Sequence, residues 1–234
     1  MIENKLIMLD TETTGLKPQE GHRIIEIGAK VVLHREITDQ QYHQFINPMF
    51  KVDDEALAVH GISNEFLSDK PLFERIVDEF IDFVKGAELV IHNAPFDVGF
   101  INHELGLCGK DFQLEDICQI TDSLVYAKKK HPGAKNNLDA LCKRYGISNE
   151  HRSLHGALLD AEILAQVYLV MTGGQTRLAL NNDQQLNLNQ AHFDLSALPP
   201  LKTVGASEQE LEAHQQWLEK HHDEDQPMMW NQES

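Results

Sequence analysis

The sequence has few cysteines, and their arrangement matches no disulfide or metal-binding pattern. Cys108, Cys118 and Cys142 are the only three among 234 residues. An odd number of isolated cysteines, without Cys-x-x-Cys spacing, argues against a disulfide framework and against a structural zinc site. The cysteine content therefore predicts a protein of a reducing compartment, such as the cytoplasm.

Long apolar runs are also missing. No run approaches the about 20 residues that a membrane-spanning helix needs. The first residues, Met-Ile-Glu-Asn-Lys, carry neither the basic nor the apolar region of a signal peptide. We therefore expect a soluble, cytoplasmic protein that has no membrane partner.

Positive charge is scarce as well. There are 20 Lys and Arg residues against 37 Asp and Glu residues, which gives a formal net charge of −17. Proteins hold nucleic acids non-specifically mainly by neutralising phosphates and releasing their counterions. If this chain acts on a nucleic acid, we expect it to bind weakly alone and to depend on a partner that presents the substrate.

The apolar pattern predicts one mixed α/β domain and a polar tail. The predicted elements are strands at 5–10, 23–33 and 41–47, a helix at 73–84, a strand at 87–91, a helix from Pro95 to about Leu107, a short helix that includes Leu138–Cys142, and a helix at 157–171. The three opening strands form a meander in this interpretation, because they follow one another closely along the chain.

Composition changes after Gly173-Gly174, a tandem glycine that predicts the end of the last domain helix. Asn and Gln dominate 181–190, which is typical of a flexible linker. Ser207 and Glu210 have the spacing of a capping box, and a narrow apolar stripe follows on a charged helix. We expect this helix to bind a partner, the alternative being a solvated or domain-packed terminal helix. The predicted division is a domain at 1–174, a linker at 175–206 and a partner-binding segment at 207–234.

Two carboxylates stand two residues apart at the end of the first apolar run. Side chains two apart on a strand project to the same side, so Asp10 and Glu12 can direct their oxygens at one point. Such oxygens suit Mg²⁺. Any Asp-x-Glu can be an ordinary pair of acids on an exposed strand end. Here the preceding residues are apolar and the strand looks central, where carboxylates are costly to desolvate, so a functional site is favoured.

Two further acids and a histidine complete the candidate site. Asp97 and Asp160 each lie near the start of a predicted helix. Asp97 taken alone has a structural alternative, because acids near helix N-termini are favoured by the helix dipole. His155 precedes Asp160 by five residues, an offset that turns it about 140° away on a regular helix. The two can act together only if His155 and Gly156 form a loop before the helix.

Three motifs along the chain resemble those of the DEDDh 3′–5′ exonucleases. They are, in order, Asp-x-Glu-Thr-Thr-Gly from Asp10, His-Asn-Ala-Pro-Phe-Asp ending at Asp97, and His-x₄-Asp from His155 to Asp160. Five segments show a closer resemblance to the proofreading subunits of bacterial replicative DNA polymerases. These segments are 22–28, 59–62, 89–92, 137–141 and 154–175. The resemblance implies a ribonuclease-H-like fold, with a central mixed β-sheet flanked by helices and a flexible C-terminal tail. It also implies removal of mispaired nucleotides from the primer 3′ end.

The resemblance further implies two divalent cations, Mg²⁺ or Mn²⁺, and a role for each site residue. Asp10 would bridge the cations, Glu12 and Asp160 would complete the water-activating site, and Asp97 would support the second cation through waters. His155 would accept the proton of the attacking water. The implied substrate contacts are Asp10, Glu12, Glu55, His60 and Asp160, with Glu55 and His60 at the terminal nucleotide.

The implied partners are primer DNA, the catalytic alpha subunit of DNA polymerase III and the beta sliding clamp, while a theta-type small subunit is left open. The peptide 175–180 resembles the clamp-binding peptide of replication proteins, with Gln175, Leu178 and Leu180 as its anchors. Segment 207–234 would then bind the polymerase. The alternatives are an RNA-trimming exonuclease of the ribonuclease T or oligoribonuclease type and an inactive replisome scaffold. The basic stretch at 128–152 is either a solvated helix end or a guide for the strand.

Overall fold

The computed structural model of the protein describes residues 5–149, 154–173 and 206–220. The chain divides into two units, Met1–Leu178 and Ala179–Ser234. Three features predicted for the tail lie outside the described residues. They are the clamp-like peptide with Gln175, Leu178 and Leu180, the Asn- and Gln-rich linker, and the part of the C-terminal segment after residue 220.

A five-stranded mixed sheet forms the centre of the first unit. Its strands are β1 (Leu6–Thr13), β2 (Ile24–Leu33), β3 (Glu36–Phe45), β4 (Glu88–Ile91) and β5 (Gln119–Asp122). Their order across the sheet is β3-β2-β1-β4-β5. Strands β1, β2 and β3 pair antiparallel, which confirms the predicted meander, whereas β4 runs parallel to β1 and β5 runs parallel to β4. Strand β1 therefore lies at the middle of the sheet, as its apolar sequence predicts.

The helices of the first unit are α1 (Asp54–His60), α2 (Asn64–Leu67), α3 (Phe73–Val84), α4 (Ala94–Leu107), α5 (Leu114–Ile117), α6 (Ser123–Lys130), α7 (Leu138–Tyr145) and α8 (Ala157–Gly173). Helices α3, α4, α7 and α8 confirm the predicted ones. The sequence analysis did not predict β5, α1, α2, α5 and α6, because these elements are short and have no clear apolar period. Within the described ranges, no helix is both long and apolar enough to cross a lipid bilayer.

Helices cover both faces of the sheet, and the alternation of β1 divides its side chains between them. Ile7 and Leu9 join the core with α3 and α4. Met8 joins the core with α7 and α8. By this alternation Asp10 and Glu12 continue the face of Met8, toward α8, while Thr11 continues the opposite face, toward α4. The end of β1 thus presents side chains to the two helices that carry the other candidate acids.

The described part of the second unit is helix α9 (Glu208–Lys220). The predicted capping box is present, since Glu210 accepts hydrogen bonds from the amide and hydroxyl of Ser207 at 2.8 Å and donates its own amide to that hydroxyl at 3.3 Å. Leu211 and Trp217 are 56% and 54% exposed. These two residues of the apolar stripe are thus accessible, as a partner-binding helix requires.

Candidate active site

One pocket gathers the four acids and the histidine singled out from the sequence. A cavity of about 260 Å³ at the end of β1 has all five in its wall: Asp10, Glu12, Asp97, His155 and Asp160. We call it the acidic pocket. Four chain segments meet here, namely the end of β1, the first turn of α4, the start of α7, and the first turn of α8 with the loop before it.

Glu12, His155 and Asp160 form the tightest group in the pocket. Each offers one ligand atom, and these atoms lie within 4.8 Å of one another. Nδ1 of His155 is 3.2 Å from Oδ2 of Asp160. Carboxylate oxygens crowded on one point in this way, with Asp10 and Asp97 in the same wall, fit a hard divalent cation.

Asp97 is held in the pocket by the strand that carries Asp10 and Glu12. Its Oδ1 accepts hydrogen bonds from the amide of Thr11 at 3.1 Å and from the hydroxyl of Thr11 at 2.7 Å. Burial raises the pKa of the Asp97 carboxyl to about 7, and the hydrogen bonds from Thr11 oppose this shift. Thr11 therefore fixes the orientation of Asp97.

Two backbone amides hold the described part of the loop that carries His155. The amide of His155 donates to the carbonyl oxygen of Val59 at 3.1 Å, which ties the loop to α1. Helix α8 begins at Ala157, whose amide donates to Oε2 of Glu26 at 3.1 Å. The sequence argument that His155 must lie in a loop before the helix of Asp160 is confirmed.

Glu26 is a functional residue that sequence reasoning missed. It is buried on β2, and its second carboxylate oxygen lies 2.7 Å from Nε2 of His43. Its only sequence signal is a charged residue inside the apolar run Ile-Ile-Glu-Ile-Gly. By binding the first amide of α8, Glu26 positions the helix that carries Asp160.

Gly28 allows the start of α8 to lie against the sheet beside the acids. It pairs with Asp10 across β1 and β2. A Cβ atom at this position would overlap the backbone of Ala157 and Leu158. Only glycine therefore permits this approach of the helix to the sheet.

A second cavity lies next to the acidic pocket, over α1. We call it the α1 cavity. It has a volume of about 430 Å³ and contains both Glu55 and His60 in its wall. His60 is buried, and its Nδ1 accepts a hydrogen bond from the amide of Ile62 at 3.0 Å. Burial lowers the pKa of His60, so its ring is neutral at pH 7. Glu12 and Phe96 line both cavities, so the two cavities are adjacent.

Comparison with known proteins identifies the family. A family model described as exonuclease matches residues 7–168. The chain is 50% identical over 222 residues to DNA polymerase III subunit epsilon of Salmonella typhimurium, covering 91% of each chain. It is 48% identical over 222 residues to the same subunit of Escherichia coli K12, again covering 91% of each. The chain belongs to the DNA polymerase III epsilon-subunit family. The predicted proofreading 3′–5′ exonuclease is confirmed by this membership.

Solved structures confirm the expected fold of this epsilon-family chain. Exonuclease X in complex with 5′ overhanging duplex DNA aligns with a TM-score of 0.58 and 24% identity, over 72% of this chain and 91% of that one. The nuclease domain of 3′hExo, a DEDDh family member, bound to rAMP, aligns with a TM-score of 0.62 and 16% identity, over 73% of this chain and 92% of that one. These likenesses support the ribonuclease-H-like exonuclease fold.

Replacing Gly28 with alanine in this epsilon-family chain is expected to lower both stability and activity. The added methyl group must push α8 away from β2, and overpacking of this kind costs about 1–3 kcal/mol or more. For a chain of this size we expect the melting temperature to fall by roughly 5–10 °C. Thermal denaturation followed by circular dichroism, together with an exonuclease assay, measures both effects.

Gly99→Ala is the matched control for this prediction. Gly99 lies inside α4, and a Cβ atom there would meet nothing within 4 Å. Alanine in a helix interior is favoured over glycine by about 0.5–1 kcal/mol, so this variant should be at least as stable as the unchanged protein. Equal stability of the Gly28 and Gly99 variants would contradict the close approach of α8 to β2.

Proposed function

We propose that the acidic pocket hydrolyses the terminal phosphodiester of a primer strand with two divalent cations, Mg²⁺ or Mn²⁺. Asp10, Glu12, Asp97 and Asp160 would hold the cations. The observation that carries this assignment is the crowding of Glu12, Asp160 and His155 at one point, with ligand atoms within 4.8 Å of one another. When bound, two cations supply neutralisation of charge on the attacking and leaving oxygens.

His155 acts as the general base in this proposal. A water in the pocket needs a group that accepts its proton, and an imidazole suits this task at neutral pH. Nδ1 of His155 faces Oδ2 of Asp160 at 3.2 Å. A donated hydrogen bond from Nδ1 to that carboxylate leaves Nε2 as the proton acceptor. Asp160 thus orients the base as well as holding a cation.

The terminal nucleotide occupies the α1 cavity. Glu55 and His60 lie in its wall, where a carboxylate and a neutral imidazole can bind the sugar and the 3′-hydroxyl. Phe96 lies between this cavity and the acidic pocket and offers an apolar surface to a base. A base can reach this position only after it leaves the duplex.

The requirement for an unpaired end explains proofreading without a separate mismatch sensor. Unpairing costs less when the terminal pair is wrong. We therefore expect faster hydrolysis of mispaired 3′ ends than of paired ends. The test uses 3′-labelled primer–templates, matched and mismatched, with an RNA primer of the same sequence and Mg²⁺. Equal rates on matched and mismatched DNA would contradict the proposal, and a preference for RNA would favour the RNA-trimming alternative.

We further propose that the tail links the chain to a cytoplasmic replication complex. We expect the acidic chain to bind phosphates weakly by itself, whereas a tether to the complex offers an effective concentration in the range of about 1 mM. The exposed residues Leu211 and Trp217 of α9 provide apolar contacts for the catalytic alpha subunit. Gln175 and Leu178 belong to the peptide proposed to bind the beta sliding clamp.

Deleting 181–234 is expected to abolish co-elution with the alpha subunit on gel filtration while short single strands are still hydrolysed. The variant Gln175→Ala, Leu178→Ala is the matched comparison, because it should weaken only clamp binding, measured by surface plasmon resonance. Co-elution of the truncated chain with the alpha subunit would show that the tail is not the link.

A further inference from the structure

A third cavity opens beside the acidic pocket, and the roles proposed above leave it unused. We call it the lysine groove. It has a volume of about 520 Å³, and its wall includes His92, Asn93, Lys128, Lys135 and Asn137. His92, Asn93 and Asn137 also line the acidic pocket, so the two cavities are adjacent.

The three cavities form a row. The α1 cavity shares Thr11, Glu12 and Phe96 with the acidic pocket. It shares none of its lining residues with the lysine groove. The acidic pocket therefore lies between the other two, and a strand that crosses it can extend into each of them.

The lysine groove carries positive charge that the acidic pocket and the α1 cavity do not offer to a strand. Lys128 lies in the last turn of α6, Lys135 lies in the loop that follows, and both are exposed. In the described part of the chain, neither ammonium group forms an ion pair. Lys17 of the α1 cavity, by contrast, is paired with Glu20 at 2.7 Å. In a chain of net charge −17, Lys128 and Lys135 are available to an external anion.

The loop under Lys135 is fixed by its own hydrogen bonds. The side-chain amide of Asn136, which is buried, donates to the carbonyl oxygens of His131 at 3.1 Å and Ala134 at 3.0 Å. Arg144 donates to Oδ1 of Asn136 at 3.2 Å and to the carbonyl oxygen of Lys135 at 2.8 Å. The backbone of Lys135 is therefore held in place before any ligand arrives.

Asp122, at the start of α6, is engaged by backbone amides. Oδ1 of Asp122 accepts hydrogen bonds from the amides of Asn93, Leu124 and Val125, at 3.2, 2.8 and 3.3 Å. Asp122 thus caps α6 and ties its start to the start of α4. These three amides hold the Asp122 carboxylate at the junction of α4 and α6, and it forms no ion pair with Lys128 in the described part of the chain.

We propose that the lysine groove binds the first phosphates on the 5′ side of the scissile bond, on the strand that is being degraded. The inference rests on the function proposed above, because it takes the terminal nucleotide to be in the α1 cavity and the scissile phosphate to be in the acidic pocket. The remaining strand must then leave on the opposite side, where the groove lies. Lys128 and Lys135 hold it there as point charges, and Asn93 and Asn137 offer amide donors.

The test compares substrates that differ only in upstream phosphates. The thymidine dinucleotide has a single phosphate, the scissile one, whereas a thymidine nonanucleotide extends into the groove. For Lys128→Gln, Lys135→Gln we expect KM of the nonanucleotide to rise roughly tenfold and the slope of log KM against log salt to fall by about 1.4, because two phosphate contacts are lost. We call the KM of the dinucleotide divided by the KM of the nonanucleotide the length advantage. It should be smaller for the groove variant than for the unchanged protein.

Lys51→Gln, Lys85→Gln is the matched control. Both lysines are exposed, neither lines any of the three cavities, and the double change removes the same charge. This control should keep the length advantage. The proposal is overturned if the groove variant also keeps the length advantage, or if both variants lose the length advantage equally. Circular dichroism confirms that both are folded.

A binding experiment separates failure of this proposal from failure of the proposed function. Fluorescence anisotropy of a labelled thymidine nonanucleotide, at low salt without divalent metal, reports binding independently of hydrolysis. Weaker binding by the groove variant than by the control supports the proposal even if hydrolysis has another mechanism. Equal binding overturns it, while absence of hydrolysis by the unchanged protein contradicts the proposed function instead.

Discussion

Glu12→Gln is expected to reduce exonuclease turnover by about 10³-fold or more while the protein stays folded. The amide keeps the shape of the side chain but loses the negative charge that would hold a cation, and the electrostatic stabilisation of the transition state depends on that cation. Glu12 is buried close to Asp160, so the substitution also removes a repulsion between carboxylates. Loss of activity should therefore come with unchanged or higher stability in the metal-free protein.

Two measurements distinguish a metal ligand from a structural residue. Mg²⁺ should raise the melting temperature of the unchanged protein, because a ligand that binds only the folded state stabilises it. The Glu12→Gln variant should lose most of this shift. The control is Glu36→Gln, which makes the same change at an exposed position at the start of β3. A Glu12 variant that is inactive because it is unfolded would remove Glu12 from the metal site, and so would a full Mg²⁺ shift.

The sequence was sufficient to predict the local features of this site. The period of two along β1 predicts that Asp10 and Glu12 share a face, and the structure places them in one pocket. The offset between His155 and Asp160 predicts a loop before α8, since a continuous helix would separate the two side chains. Both inferences concern residues that are only a few positions apart in the sequence.

Features that depend on distant contacts could not be predicted in the same way. Glu26 binds the amide of Ala157, which is 131 residues further along the chain, and Gly28 contacts the same turn of α8. Asn137 enters the acidic pocket only because α7 packs beside α8. Strand β5 has four residues, of which Ile120 alone is strongly apolar, and its pairing with β4 decides its structure. Tertiary contacts of this kind override weak local preference.

His155→Ala is expected to lower turnover by roughly 10²–10⁴-fold, which is the usual contribution of a positioned general base. The backbone amide of His155 donates a hydrogen bond to the carbonyl oxygen of Val59, and Nδ1 of its ring lies 3.2 Å from Oδ2 of Asp160. These two contacts hold the imidazole in place. The side chain is half-exposed, so its removal should cost little stability. The free energy of unfolding should therefore change far less than the rate.

A role as base and a role as cation ligand have different consequences for this variant. If His155 accepts the proton of water, Mn²⁺ affinity measured by calorimetry should be nearly unchanged, and added imidazole should restore part of the lost rate. If His155 instead holds a cation, affinity should fall together with turnover. His103→Ala is the control, because His103 lies on α4 and lines none of the three cavities described above. Turnover above a tenth of the unchanged rate would exclude His155 as the base, because the hydrolysis step needs a proton acceptor within hydrogen-bond reach of the water.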